Sequence, residues 1–248
     1  MHRVRDKVVL VTGGAIGTGQ AHSELLAAEG AQVFICDREV EKGEAVAQSV
    51  VAAKGRAEFI RLDVTSERDW DTAIARVKQK AGRLDVLVNN AGILVLKPAH
   101  ETTTEEWERV FNVNVRGVYF GTRAAVPLMK ESGGGSIINI SSIYGMVGAP
   151  SAGAYIASNG AVRLLTKSCA VDLAPFNIRV NSIHPGVIDT PMTKDLLHRT
   201  RRREARSSAR PCWAAPASPK RSRRRSSSSP SSFVHGAELL VDGGYVAN

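Results

Sequence analysis

Short apolar runs alternate with amphipathic stretches along most of the chain. Val8-Val9-Leu10-Val11 is wholly apolar, the pattern of a strand covered on both faces of a parallel sheet. It ends in Thr12-Gly13-Gly14-Ala15-Ile16-Gly17-Thr18-Gly19, after which helical spacing runs through Glu29 to a stop at Gly30. The same alternation predicts strands at 33–36, 58–62, 84–88, 136–140, 178–183 and 238–242. Between them it predicts helices near 39–53, 67–80, 104–130 (interrupted near Gly117) and 152–173. Regular β-α alternation implies right-handed crossovers and one α/β domain: a doubly wound parallel sheet with helices on both faces, of Rossmann type.

The pattern fails over residues 199–232. Arg201-Arg202-Arg203, Arg223-Arg224-Arg225 and Ser226-Ser227-Ser228-Ser229 have neither helical nor strand periodicity, and such a composition predicts disorder. The alternation calls for a covering helix before the last strand, and none is legible there. Abrupt edges and near-normal overall length point to a reading frame that slips and later recovers; the competing reading is a genuine basic arm for nucleic acid or an acidic partner.

Charge enters the picture only through that segment. The chain carries a formal charge of +9, but residues 199–232 alone sum to +10, leaving about −1 for the rest. Basic residues confined to one run are not the folded basic face that nucleic-acid binding needs. No run is apolar enough to span a membrane. Cys36, Cys169 and Cys212 are scattered without metal-ligand spacing, and the N-terminus lacks a signal-peptide layout. Both features are expected of a cytoplasmic protein with reduced thiols and no bound metal.

Candidate chemistry begins at the first strand-to-helix turn. Gly13, Gly17 and Gly19 lie where glycine permits a tight turn, close backbone approach to a pyrophosphate and close helix packing. Ile16 belongs to the same loop, and the helix N-terminus behind it offers free N–H groups. Asp37 closes the second strand at the separation expected of a carboxylate that binds the adenosine ribose hydroxyls. That choice favours NAD over NADP, although Arg38 beside it is able to pair with a 2′-phosphate. Asp63, with Val64, ends the third strand where an adenine would rest.

The glycine spacing and several later segments together resemble the short-chain dehydrogenase family. Asn89-Asn90-Ala91-Gly92 resembles its Asn-Asn-Ala-Gly signature; Asn114, Ser142 and Tyr155 match its catalytic Asn, Ser and Tyr in order and spacing. Pro185-Gly186, Ile188 and Thr190 resemble the segment that holds the nicotinamide carboxamide, and the run from Gly236 to Gly244 resembles its C-terminal strand and turn. The likeness spans about residues 5–198 and 233–248. It is greatest to bacterial 3-alpha/20-beta-hydroxysteroid dehydrogenases, through Ile183-His184-Pro185-Gly186 and Thr190-Pro191-Met192.

The resemblance implies hydride transfer between NAD(H) and a secondary alcohol or ketone. In the family, a serine binds the substrate oxygen and a tyrosine moves its proton. An asparagine carbonyl supports a relay water, and a lysine four residues after the tyrosine lowers the phenol pKa and grips the nicotinamide ribose. Here that fourth residue is Asn159, on the right face of the helix but without charge. The expectation is impaired turnover with nucleotide binding partly retained. A 3-oxoacyl-carrier-protein reductase and a non-catalytic NAD-binding protein are the alternatives. Family members form homotetramers, so the same assembly is expected here.

Overall fold

The computed structural model describes residues 4–194 and 234–247. Segment 199–232, read above as disordered, lies outside the described residues. The seven predicted strands are present: β1 Val8–Thr12, β2 Gln32–Asp37, β3 Arg56–Arg61, β4 Val86–Asn89, β5 Gly135–Ile140, β6 Ile178–Pro185 and β7 Glu238–Val241. They form one parallel sheet in the order β3-β2-β1-β4-β5-β6-β7. The chain winds outward from β1 in one direction, returns, and continues from β4 in the other. The switch point therefore falls between β1 and β4.

Alternation along each strand assigns side chains to the two faces of the sheet. Val9, Val11, Val33 and Ile35 pack with Leu26 and Ala27 of α1 (Gly17–Ala28) and with Val46, Ala47 and Val50 of α2 (Val40–Ala52). Their neighbours Val8, Leu10, Phe34 and Cys36 point the other way. They pack with Trp70, Ala73 and Val77 of α3 (Glu67–Ala81), with Phe120, Leu128 and Met129 of α5 (Gly117–Glu131) and with Ala170 of α6 (Gly153–Leu173). Two separate cores, one per face, make this the doubly wound sheet that the apolar runs predict.

Local signals set the helix ends. Ser66 caps α3 by accepting the Asp69 N–H, and Gly82 ends it in the left-handed conformation at φ +68°. Thr103 and Glu106 form a reciprocal capping box at the start of α4 (Thr104–Phe111). The predicted break near Gly117 is a π-helical turn over Asn112–Arg116, just before the glycine and not at it. The fourth strand begins two residues later than its apolar pattern suggests, because Asp85 spends its carboxylate on the Val8 N–H (2.9 Å) and on Lys7 and Arg83. No helix among the described residues is long and apolar enough to cross a membrane.

Among the described residues Trp70 is the largest fully buried side chain. Its indole N–H donates to the Val64 carbonyl at 3.0 Å, and its ring fills the space that a side chain at Gly121 of α5 would need. We expect Trp70→Ala to cost about 3–5 kcal/mol through lost burial and the cavity left behind, read as a lowered urea midpoint with little change in slope.

Candidate active site

The carboxyl ends of the central strands open onto one cleft of about 840 Å³, centred on the switch point between β1 and β4. Its wall contains Gly13, Ile16, Gly17, Asp37, Arg38, Asp63, Val64, Asn90, Ala91, Gly92, Asn114, Ser142, Tyr155, Asn159, Pro185, Gly186, Ile188 and Thr190. The sequence scatters these residues over more than 170 positions, and strand order brings them together. Gly19 does not line the cleft. A Cβ there would stand 1.9 Å from the Gly13 carbonyl oxygen, so this glycine lets α1 pack onto the loop.

Gly13 and Gly17 take positive φ, +62° and +59°, which a side chain would strain. A Cβ on Gly13 would also approach the Ala91 Cα to 2.9 Å. Asn90 crosses the gap: its side-chain amide donates to the carbonyls of Thr12 (3.0 Å) and Gly13 (3.2 Å) and accepts from the Thr18 hydroxyl at 3.0 Å. The Thr12 hydroxyl accepts the N–H groups of both Asn90 (3.0 Å) and Ala91 (3.1 Å). Thr12 and Thr18 were not singled out from the sequence as site residues. The available signal was a hydroxyl at each end of a glycine loop that must be tied to its neighbour.

Behind the loop, no side chain caps α1 and no acidic residue stands in its first turn, so its positive end faces the cleft uncompensated. Asp37 is held by the Ala15 N–H (3.0 Å) and the Glu39 N–H (3.1 Å), which orient the carboxylate toward the loop. Arg38 is exposed on the rim, next to the Lys42–Glu39 pair. Asp63 accepts from the Thr65 N–H and hydroxyl at 2.9 and 2.7 Å, so it both caps a turn and forms part of the wall.

At the opposite side, Asn114 sits in the π-helical turn. Its side chain accepts the Ile93 N–H (2.8 Å) and donates to the Ile93 carbonyl and the Ser158 hydroxyl, both at 3.0 Å. Ser158 in turn donates to the Tyr155 carbonyl at 2.8 Å, tying the turn to α6. Ser142 lies just beyond β5 in extended backbone and accepts the Tyr144 N–H at 3.2 Å. In the last wall segment Thr193 is a further residue without a sequence signal. Its hydroxyl receives the Thr190 N–H at 3.1 Å and donates to the Ile188 carbonyl.

Burial pushes the Tyr155 phenol above its ordinary value; hydrogen bonds with Ser142 and Asn159 act in the other direction without reversing it. Among the described residues no positive charge adds to that opposing effect. Asn159 is buried, and its side-chain amide donates back to the Tyr155 carbonyl at 2.8 Å. The Asn159 amide donor is therefore engaged within the helix. Tyr144 is also raised, to about 12, first by burial and then by its contact with Tyr245.

The profile of the family described as short chain dehydrogenase matches residues 7–201. The chain is 53% identical over 252 residues to cyclopentanol dehydrogenase from Comamonas testosteroni, with all of both chains covered. It is 43% identical to 3-alpha-(or 20-beta)-hydroxysteroid dehydrogenase from Mycobacterium bovis, covering 99% of this chain and 91% of that one. It is 41% identical to NADP-dependent (R)-specific alcohol dehydrogenase from Lentilactobacillus kefiri, covering 99% and 98%. A crystal structure of a short-chain type dehydrogenase/reductase from Mycobacterium marinum superposes with a TM-score of 0.93 at 31% identity, covering 100% and 98%.

The glycine loop supplies a direct check on this cleft. We expect Gly19→Ala, which must displace either Gly13 or α1, to weaken nicotinamide-dinucleotide binding by at least about tenfold in calorimetric titration, since 1.4 kcal/mol of strain already amounts to that factor.

Proposed function

Because the chain belongs to the short-chain dehydrogenase family, we propose that it is an NAD-dependent oxidoreductase interconverting a ring-borne secondary alcohol and its ketone. The observation that carries the reading is the meeting of Ser142 and Tyr155 on the wall of a glycine-lined dinucleotide cleft. A ring alcohol is the class named in the cyclopentanol and hydroxysteroid relatives, and cyclopentanol is the first substrate to try. Free Cys36 and Cys169 suit a reducing cytoplasm.

The residues present fit a dinucleotide. Glycines leave space where side chains would intrude, the uncapped α1 N-terminus suits phosphates, and Asp37 suits ribose hydroxyls. When bound, the nicotinamide supplies or accepts the hydride. Ser142 would hold the substrate oxygen, and Tyr155 would take the hydroxyl proton in oxidation or return it in reduction. Asn114 braces the turn that faces them. The Asp37 carboxylate disfavours a 2′-phosphate, and we expect calorimetry on the purified chain to give at least about tenfold tighter binding of NADH than of NADPH. Equal affinities would sink the NAD assignment, and binding of neither would sink the cofactor site.

A second reading, a nucleotide-binding protein with little turnover, is favoured by Asn159. Oxidation needs the phenolate, and the raised Tyr155 pKa keeps the phenol protonated at neutral pH. Below that pKa each unit of pH multiplies the phenolate fraction by about ten. Cyclopentanol oxidation should therefore keep rising past pH 10 without a plateau. An ammonium at position 159 favours the charged form, so Asn159→Lys should raise kcat by about 10²- to 10⁴-fold near neutrality and bring the plateau to lower pH. An unchanged kcat and pH profile in this variant would remove Asn159 as the cause of impairment.

A further inference from the structure

Ser142 occupies an awkward place in the sheet. The β5–β6 ladder ends at Ile140 and Ile183, with one more bond from the Ser141 N–H to the Ile183 carbonyl at 2.8 Å. At Ser142 the chain leaves the ladder and enters the turn Ile143–Gly145. Its carbonyl accepts the Gly145 N–H of that turn at 2.9 Å, but this bond lies within the turn itself and does not anchor it to the sheet. The anchor comes from β6. Where the ladder has run out, the His184 side chain places Nδ1 at 3.0 Å from the Ser142 carbonyl oxygen.

The chemistry of that contact sets the state of the ring. A carbonyl only accepts, so Nδ1 carries the hydrogen and Nε2 presents a lone pair. Ser182, two residues back on the same face of β6, lies 2.8 Å from Nε2 and donates its hydroxyl there. Both residues are fully buried, and burial holds the imidazole pKa down, so the neutral ring is the stable form. Other charged groups acting on it are Glu238 of β7 and Arg163 and Lys167 of α6, which pair with one another. A buried histidine with both nitrogens satisfied is commonly part of the core. This one spends its donor on the main chain of the residue whose hydroxyl faces Tyr155.

We propose that His184 is a positioning residue: through Nδ1–H it pins the Ser142 main chain to β6 and so sets the Ser142 hydroxyl against Tyr155, while Ser182 selects the tautomer that does this. His184 touches neither substrate nor cofactor in this reading. The proposal rests on Ser142 and Tyr155 forming the reacting pair of the proposed function.

Asparagine and glutamine separate the two ring nitrogens, because the Asn amide nitrogen overlays Nδ1 and the Gln amide nitrogen overlays Nε2. In the full chain, His184→Asn should keep kcat for cyclopentanol oxidation within about threefold. His184→Gln should lower it about 10- to 100-fold, with the NADH dissociation constant unchanged in both, since small misplacement of a reacting group has effects of that size. A packing role predicts the reverse order, because Asn leaves the larger void. An independent readout needs no turnover: the ¹³Cζ resonance of Tyr155 at fixed pH, assigned with Tyr155→Phe, reports its hydrogen bond with Ser142. It should stay in place in His184→Asn and move in His184→Gln. If the two variants behave alike in this resonance, or if kcat simply follows melting temperature, the proposal is overturned. If no variant oxidises an alcohol, even with Asn159→Lys, the functional reading fails, and the Tyr155 resonance still decides the role of His184.

Discussion

The close approach of the glycine loop to the segment after β4 is the constraint on which the rest of this site depends. The backbones meet with no room for side chains at Gly13 and Gly19, and Asn90 and Thr12 stitch the contact with reciprocal hydrogen bonds. Each bond contributes about 1 kcal/mol net, but a buried donor left unpaired would cost more than that. The polar groups therefore act as a register device: only one spacing of β1 and β4 satisfies them all. That spacing opens the cleft at the switch point, aims the positive end of α1 into it and brings Asp37 to its edge.

The Ser142–Tyr155 side of the cleft rests on a different set of constraints. Asn114 and Ser158 link the π-helical turn to α6, and His184 links the end of β5 to β6. Together they hold Ser142 and Tyr155 from two directions. The enclosure that makes these hydrogen bonds strong also opposes a charge on Tyr155. A site with this layout needs a cation to offset the desolvation of the phenolate, and position 159 offers an amide instead. The glycine-loop side of the cleft is tied by its own hydrogen bonds, while Tyr155 is buried with no positive charge opposing the rise of its pKa among the described residues.

Much of this was legible in the residues alone, for a physical reason. Strands covered on both faces are predominantly apolar, so β1, β2, β4 and β5 announce themselves by their apolar runs, and the glycines mark a turn that other residues cannot make. Tyr155 and Asn159 share a helix face because four residues make about one turn. The π-helical turn was visible only as an interruption and was placed late, at Gly117, because no propensity distinguishes a wide turn from a break. Asp85 read as part of a strand, but its carboxylate is committed to the neighbouring strand and to two cations.

Local periodicity and backbone chemistry thus determined the elements, their faces and the glycine loop, while the proposed reacting side chains followed from the family resemblance. Tertiary structure alone decided which residues became partners across long separations: Asn90 with Thr12 and Gly13, Asn114 with Ile93 and Ser158, and His184 with Ser142. These bonds join positions 21 to 78 residues apart. Period and propensity report how a residue sits on its own helix or strand. Which donor finds which acceptor depends on which elements lie side by side, and that arrangement exists only in the folded sheet.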